Sequence, residues 1–99
     1  MKYTFKPTKF FLEQIDGLSD RGKEILKDKL RLVKENPSRN KRIIGHDNLF
    51  LFRIRFTDQN KEVRAIYLLD SPEIVLICLL DRGNEYKELK RYLKKLGYL

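Results

Sequence analysis

The stretch from Leu49 to Leu69, LFLFRIRFTDQNKEVRAIYLL, constrains the fold more than any other part of the chain. Up to Phe56 its residues alternate. Phe50, Phe52, Ile54 and Phe56 fall on one side, and Leu51, Arg53 and Arg55 on the other. A polar segment interrupts the pattern from Thr57 to Lys61, with Asp58, Gln59 and Asn60 at its tip. A second alternating run then returns, with Val63, Ala65 and Tyr67 on one face and Arg64, Ile66 and Leu68 on the other. Two such runs across a short polar loop predict an antiparallel hairpin. The aromatic face demands a core. The opposite face carries arginines from both strands and demands solvent, an acid or an anion.

The overall charge bears on that choice. Lys and Arg number 22 against 14 Asp and Glu, giving +8 over 99 residues. On a chain this small, such a charge points to a polyanionic or acidic partner: nucleic acid first, then an acidic protein, then an anionic membrane. The competing reading is that the charge only aids solubility. Six Phe and five Tyr in a 41% hydrophobic chain supply one core, so residues 1–99 are expected to form a single domain. The one cysteine, Cys78 in IVLICLL, cannot form an internal disulfide. It fits a reducing cytoplasm and reads as a small buried hydrophobe rather than a nucleophile. No apolar run approaches the roughly 20 residues of a membrane-spanning helix. The opening MKYTFKPTKFF lacks the apolar centre of a signal peptide. A cytoplasmic protein without a membrane partner is the expectation.

The remaining elements follow from local signals. Lys2 to Lys6 alternate as a short strand that Pro7 ends. The helix TKFFLEQI stops near Gly17. Ser19 is placed to cap a second helix with Asp20 in its first turn. That helix should run to about Asn36, before Pro37, with Ile25, Leu26, Leu30 and Val33 at helical spacing. Arg39 to Arg42 then hold three positive charges, Ile43 and Ile44 are expected to dock into the core, and Gly45 to turn. After a turn at Asp70-Ser71-Pro72, the run Glu73 to Leu80 is apolar on both faces and predicts a central strand. Asp81-Arg82-Gly83-Asn84 leaves the sheet. A final helix runs to Leu96, with Tyr86, Leu89, Leu93 and Leu96 on one face and Gly97 as its stop. The order β-α-α-β-β-β-α predicts an α+β fold: a mainly antiparallel sheet packed by two N-terminal helices and a C-terminal one.

Chemistry is most concentrated on the arginine face. Arg53 and Arg55 share it, Arg64 joins from the partner strand, and Arg82 lies just past the end of the next one. If those strands are neighbours, their guanidiniums converge. Arginine matches phosphate oxygens with a fixed fork of donors. The competing reading is a solvated face balanced by Glu62, Glu73, Asp81 and Glu85. No Asp, Glu or His set has metal-ligand spacing, so neither a metal nor another cofactor is expected.

Five pieces stand in a telling order: KRIIG from Lys41, FRIR from Phe52 to Arg55, VRAIY from Val63 to Tyr67, the apolar strand, and DRGNEY from Asp81 to Tyr86. Together with the two N-terminal helices they resemble the RelE/ParE superfamily, the toxins of bacterial and archaeal type II toxin–antitoxin modules. The resemblance spans nearly the whole chain. It implies a ribosome-dependent mRNA endonuclease neutralised by a cognate antitoxin, with Arg53, Arg55, Arg64, Arg82 and Tyr86 as its catalytic residues.

Cutting RNA through its own 2′-hydroxyl needs a base, cations for the crowded phosphate and an acid for the leaving oxygen, and no metal. Arginine keeps its proton up to about pH 12, so it stabilises charge and leaves the base unassigned. Tyr86 is an acid or base if cations lower its pKa, or a core residue at the head of the apolar helix face. His46, the only histidine, is a candidate base within a turn. Asp81 stands where relatives often carry a basic residue, and is placed to pair with Arg82. Three rivals remain: a ParE-like gyrase inhibitor, a non-catalytic RNA-binding module using the basic tail KELKRYLKKLGYL, and a protein whose basic face only binds an acidic antitoxin segment.

Overall fold

A computed structural model of the chain describes residues 2–46, 48–81 and 85–99, with side chains in the last stretch from position 87 onward. The elements are β1 (Thr4–Pro7), α1 (Lys9–Ile15), α2 (Asp20–Glu35), β2 (Lys41–Arg42), β3 (Leu51–Asp58), β4 (Lys61–Asp70), β5 (Glu73–Asp81) and α3 (Glu85–Lys95). One sheet has the order β1-β5-β4-β3-β2. β1 pairs parallel with β5 and the other pairs are antiparallel, so the fold is α+β as the element order predicts. One strand is additional. Lys41 and Arg42 pair with Arg53 and Phe52, which turns a basic loop into a sheet edge.

The hairpin is tighter than its polarity suggests. β3 and β4 pair without interruption from Leu51–Leu68 to Asp58–Lys61. Only Gln59 and Asn60 form the loop, with φ of 52° and 65°. Positive φ at both central residues is the turn that matches strand twist. Asp58 belongs to the strand because it is drawn inward. Its carboxylate accepts the Ser19 hydroxyl and, at 3.1 Å, the Ser19 N–H. Ser19 in turn caps α2 by accepting the Gly22 N–H at 3.0 Å. The Ser19 hydroxyl, then the Ser19 N–H, hold the Asp58 carboxyl below its ordinary value.

Alternation along the strands splits the sheet into two cores. Phe52, Ile54, Phe56, Val63, Ala65 and Tyr67 pack under α1 and α2 through Phe11, Leu26 and Val33. Leu51, Ile66 and Leu68 face the other way, joining Leu89 and Leu93 of α3. β5 serves both cores, as a strand apolar on both faces must. A bulge alters its parity. Ile66 pairs with Cys78 but Tyr67 with Leu76, so consecutive Ile77 and Cys78 enter the same core. Burial there, with Glu88 adding to it, pushes the Cys78 thiol up to about 12, which suits packing rather than nucleophilic chemistry.

The loop before β3 departs from expectation. Ile43 docks, but Ile44 is 87% exposed, because successive residues leaving an edge strand point opposite ways. Phe50, expected on the core face, lies before the strand begins. It is half exposed, with the Arg42 guanidinium 4.6 Å from its ring centre. Tyr67 holds the segment leading to β2. Its ring stacks on Phe52 at 5.3 Å, and its hydroxyl donates to the Pro37 carbonyl at 2.5 Å while accepting from Asn40 at 3.1 Å.

Candidate functional site

α3 packs against β5. Beyond it, the second face of the sheet carries cations from β2, β3 and β4. Lys41 is paired with Arg53, and Arg55 with Arg64. Directly opposed residues share a face, so Lys41, Arg53, Arg55 and Arg64 stand together there. Alternation alone identifies the three arginines. Lys41 emerges only from the pairing of β2, for which a two-residue strand offers almost no sequence signal.

Like charges directly opposite one another are destabilising, and Glu62 relieves them. It lies two residues before Arg64 on the same strand and hence on the same face. One carboxylate oxygen accepts from Arg64 Nη2 at 3.0 Å and from Arg64 Nε at 3.2 Å. The other lies 3.9 Å from Arg55 Nη1. The side chains are graded in exposure: 12% for Arg64, 32% for Glu62 and 57% for Arg55. Arg64 is therefore held by its neighbours while Arg55 reaches outward. The idea of a balanced face is right for Glu62. It fails for Glu73, which lies at the far end of β5 beside Asp70, and for exposed Asp81, which opposes Val63 and so falls on the other face. The Glu85 side chain is outside the described residues. Among the described residues, Lys41, Arg53, Arg55 and Arg64 gather on this face with Glu62.

Arg82 lies outside the described residues, and so does the Tyr86 side chain, whose backbone is in the first turn of α3. The structure therefore brings together Arg53, Arg55 and Arg64 of the five predicted residues. His46 sits half buried between β2 and β3, its carbonyl accepting the Leu49 N–H at 2.9 Å. Among the described residues, no three His, Cys, Asp or Glu side chains gather as a metal site would require.

The strand beside the site is braced from the N-terminal side. β1 covers β5 only from Glu73 to Leu76. Thr8 then donates its hydroxyl to the Ile77 carbonyl at 2.6 Å. The Gln14 amide donates to the Leu79 carbonyl at 2.9 Å and accepts the Leu79 N–H at 2.7 Å. It also donates to the Tyr92 hydroxyl at 3.1 Å, joining α1 to α3. A polar residue within an amphipathic helix gives no hint of this role in the sequence.

A second feature lies against α2. Phe5, Phe11, Ile15, Leu26 and Leu30 floor a groove of about 470 Å³, and Lys23, Lys27, Arg31 and Lys34 line it with the single acid Asp28. No helix among the described residues is long and apolar enough to cross a membrane.

No family model matches the chain, and no curated protein does. Among solved structures, a mutant of the E. coli toxin RelE with two arginines replaced by alanine, in the free state, aligns with a TM-score of 0.75. The identity is 21%, and the match covers 98% of this chain and 99% of that one. The chain therefore shares the fold of RelE over 98% of its length.

Proposed function

We propose that this chain is the toxin of a toxin–antitoxin pair and that it cuts mRNA on the ribosome. One observation carries the reading: Lys41, Arg53, Arg55 and Arg64 share a sheet face, within a RelE-like fold. In this scheme Arg64 and Arg55 hold the non-bridging oxygens of the scissile phosphate. Arg53 and Lys41 hold its neighbours along the strand. Fixed guanidiniums stabilise the charge that builds up on phosphorus during attack. Arg82 and Tyr86 complete the catalytic set on the strength of the sequence resemblance.

The attacking group is the RNA's own 2′-hydroxyl, giving a 2′,3′-cyclic phosphate and a 5′-hydroxyl, and no metal takes part. The protein acts in the cytoplasm, where ribosomes are translating. A cognate antitoxin holds it inactive by laying an acidic amphipathic segment along the groove floored by Phe11, Leu26 and Leu30, whose cationic rim suits such a partner.

The test is incubation of the purified protein with an mRNA, free and under translation. Cleavage that requires ribosomes supports the reading. Intact mRNA together with blocked DNA supercoiling would replace it with a gyrase target. Binding of RNA without cleavage would leave a binding module.

A further inference from the structure

We infer that Glu62 is the general base that takes the proton from the attacking 2′-hydroxyl. The inference rests on the nuclease reading above. That reaction needs a proton acceptor, and the cations on this face are donors only: arginine and the lysine ammonium offer N–H groups and no lone pair. Glu62 is a carboxylate paired with two of these arginines, Arg55 and Arg64.

Its two oxygens are not equivalent. One is fixed by the Arg64 fork at 3.0 and 3.2 Å. The other is 3.9 Å from Arg55 Nη1, beyond hydrogen-bond length, so the Arg55 guanidinium does not occupy it. That oxygen sits between the two guanidiniums assigned to the phosphate. The 2′-hydroxyl of RNA is adjacent to its own 3′-phosphate. A phosphate spanning Arg55 and Arg64 therefore brings that hydroxyl to this second oxygen. The carboxylate is 32% exposed, enough to return the proton to solvent.

The step balances without a co-reactant. Glu62 accepts the 2′-hydroxyl proton, the 2′-oxygen bonds to phosphorus, and the bond from phosphorus to the 5′-oxygen breaks. The leaving oxygen takes a proton from water, and Glu62 releases its own to solvent. Arg64, with its side chain 12% exposed, orients the base as well as the phosphate, which explains why the acid lies among the cations rather than beside them.

A counter-ion with no chemical role predicts the opposite of a base. Glu62→Gln would then free the arginines and speed cleavage. The experiment is single-turnover cleavage of ribosome-bound mRNA by the wild type, Glu62→Gln and Glu62→Asp across pH, with binding of an mRNA 2′-O-methylated at the scissile nucleotide. The expected result for Glu62→Gln is a loss of about 10²–10⁴-fold in rate. Its affinity for the methylated mRNA should be unchanged or tighter, the acid limb of its pH profile should be gone, and Glu62→Asp should recover part of the rate. Cleavage by Glu62→Gln within about threefold of wild type would overturn the assignment. Loss of binding together with cleavage would also overturn it, making Glu62 a prop for Arg64. Absence of cleavage by the wild type would instead sink the nuclease reading, and this inference with it.

Discussion

The side-chain amide of Gln14 and the backbone of Leu79 form a closed pair, donating at 2.9 Å and accepting at 2.7 Å. A helix side chain thus continues the ladder where β1 has run out, and blunts an edge that would otherwise offer unpaired groups. Gln14→Ala leaves both Leu79 groups without this partner and should destabilise the fold by about 1–3 kcal/mol. Gln14→Glu keeps an acceptor but loses the donor, and should fall between. Denaturant midpoints at an unchanged slope check both.

Gly22 is held small by Asp58. A Cβ at that position would lie 2.5 Å from a carboxylate oxygen that Ser19 holds in place. Gly22→Ala should therefore destabilise, although alanine is favoured in a helix interior by about 1 kcal/mol. In an Asp58→Ala background the clash is gone and the same substitution should stabilise. A double-mutant cycle reads the reversal of sign.

The same carboxylate makes stability depend on pH. Its pKa is depressed in the folded state, so the unfolded chain binds the proton more readily. The stabilisation is present above the ordinary carboxyl value, about pH 4, and is lost as pH falls below it. Asp58→Asn should be less stable than the wild type at neutral pH, with the gap narrowing below about pH 4. Chemical denaturation at a series of pH values measures this.

How much of this was legible in the sequence depends on how far each partner lies along the chain. Alternation assigned Phe52, Ile54 and Phe56 to one core and placed Arg53 and Arg55 opposite, because strand parity is a local property. Ser19 and Gly97 were readable as helix ends for the same reason. Asp58 was not. It looks like one more loop residue in a polar string, and its partner Ser19 lies 39 positions earlier. Lys41 depends on a two-residue pairing, and the β5 bulge reverses the parity that a regular strand would give Asp81. Glu62 looked no different from Glu73 or Asp81 until register put it beside Arg64 and Arg55.

The two charged surfaces should separate by mutation. Lys23→Glu with Lys27→Glu alters only the groove lining and should weaken antitoxin binding, measured by calorimetry, while cleavage of ribosome-bound mRNA persists. Lys41→Ala, Arg53→Ala or Arg55→Ala should each lower the salt dependence of RNA binding by about one ion. Titration of RNA affinity against salt tests these three.

Primer extension on a translated mRNA, with the wild type and Arg64→Ala side by side, tests the central claim most directly. Cuts within codons that need ribosomes are expected from the wild type. They should fall by about 10²–10³-fold in a variant that still folds, since Arg64 holds both phosphate and base. Equal cutting by the two proteins would contradict the placement of the phosphate on this face.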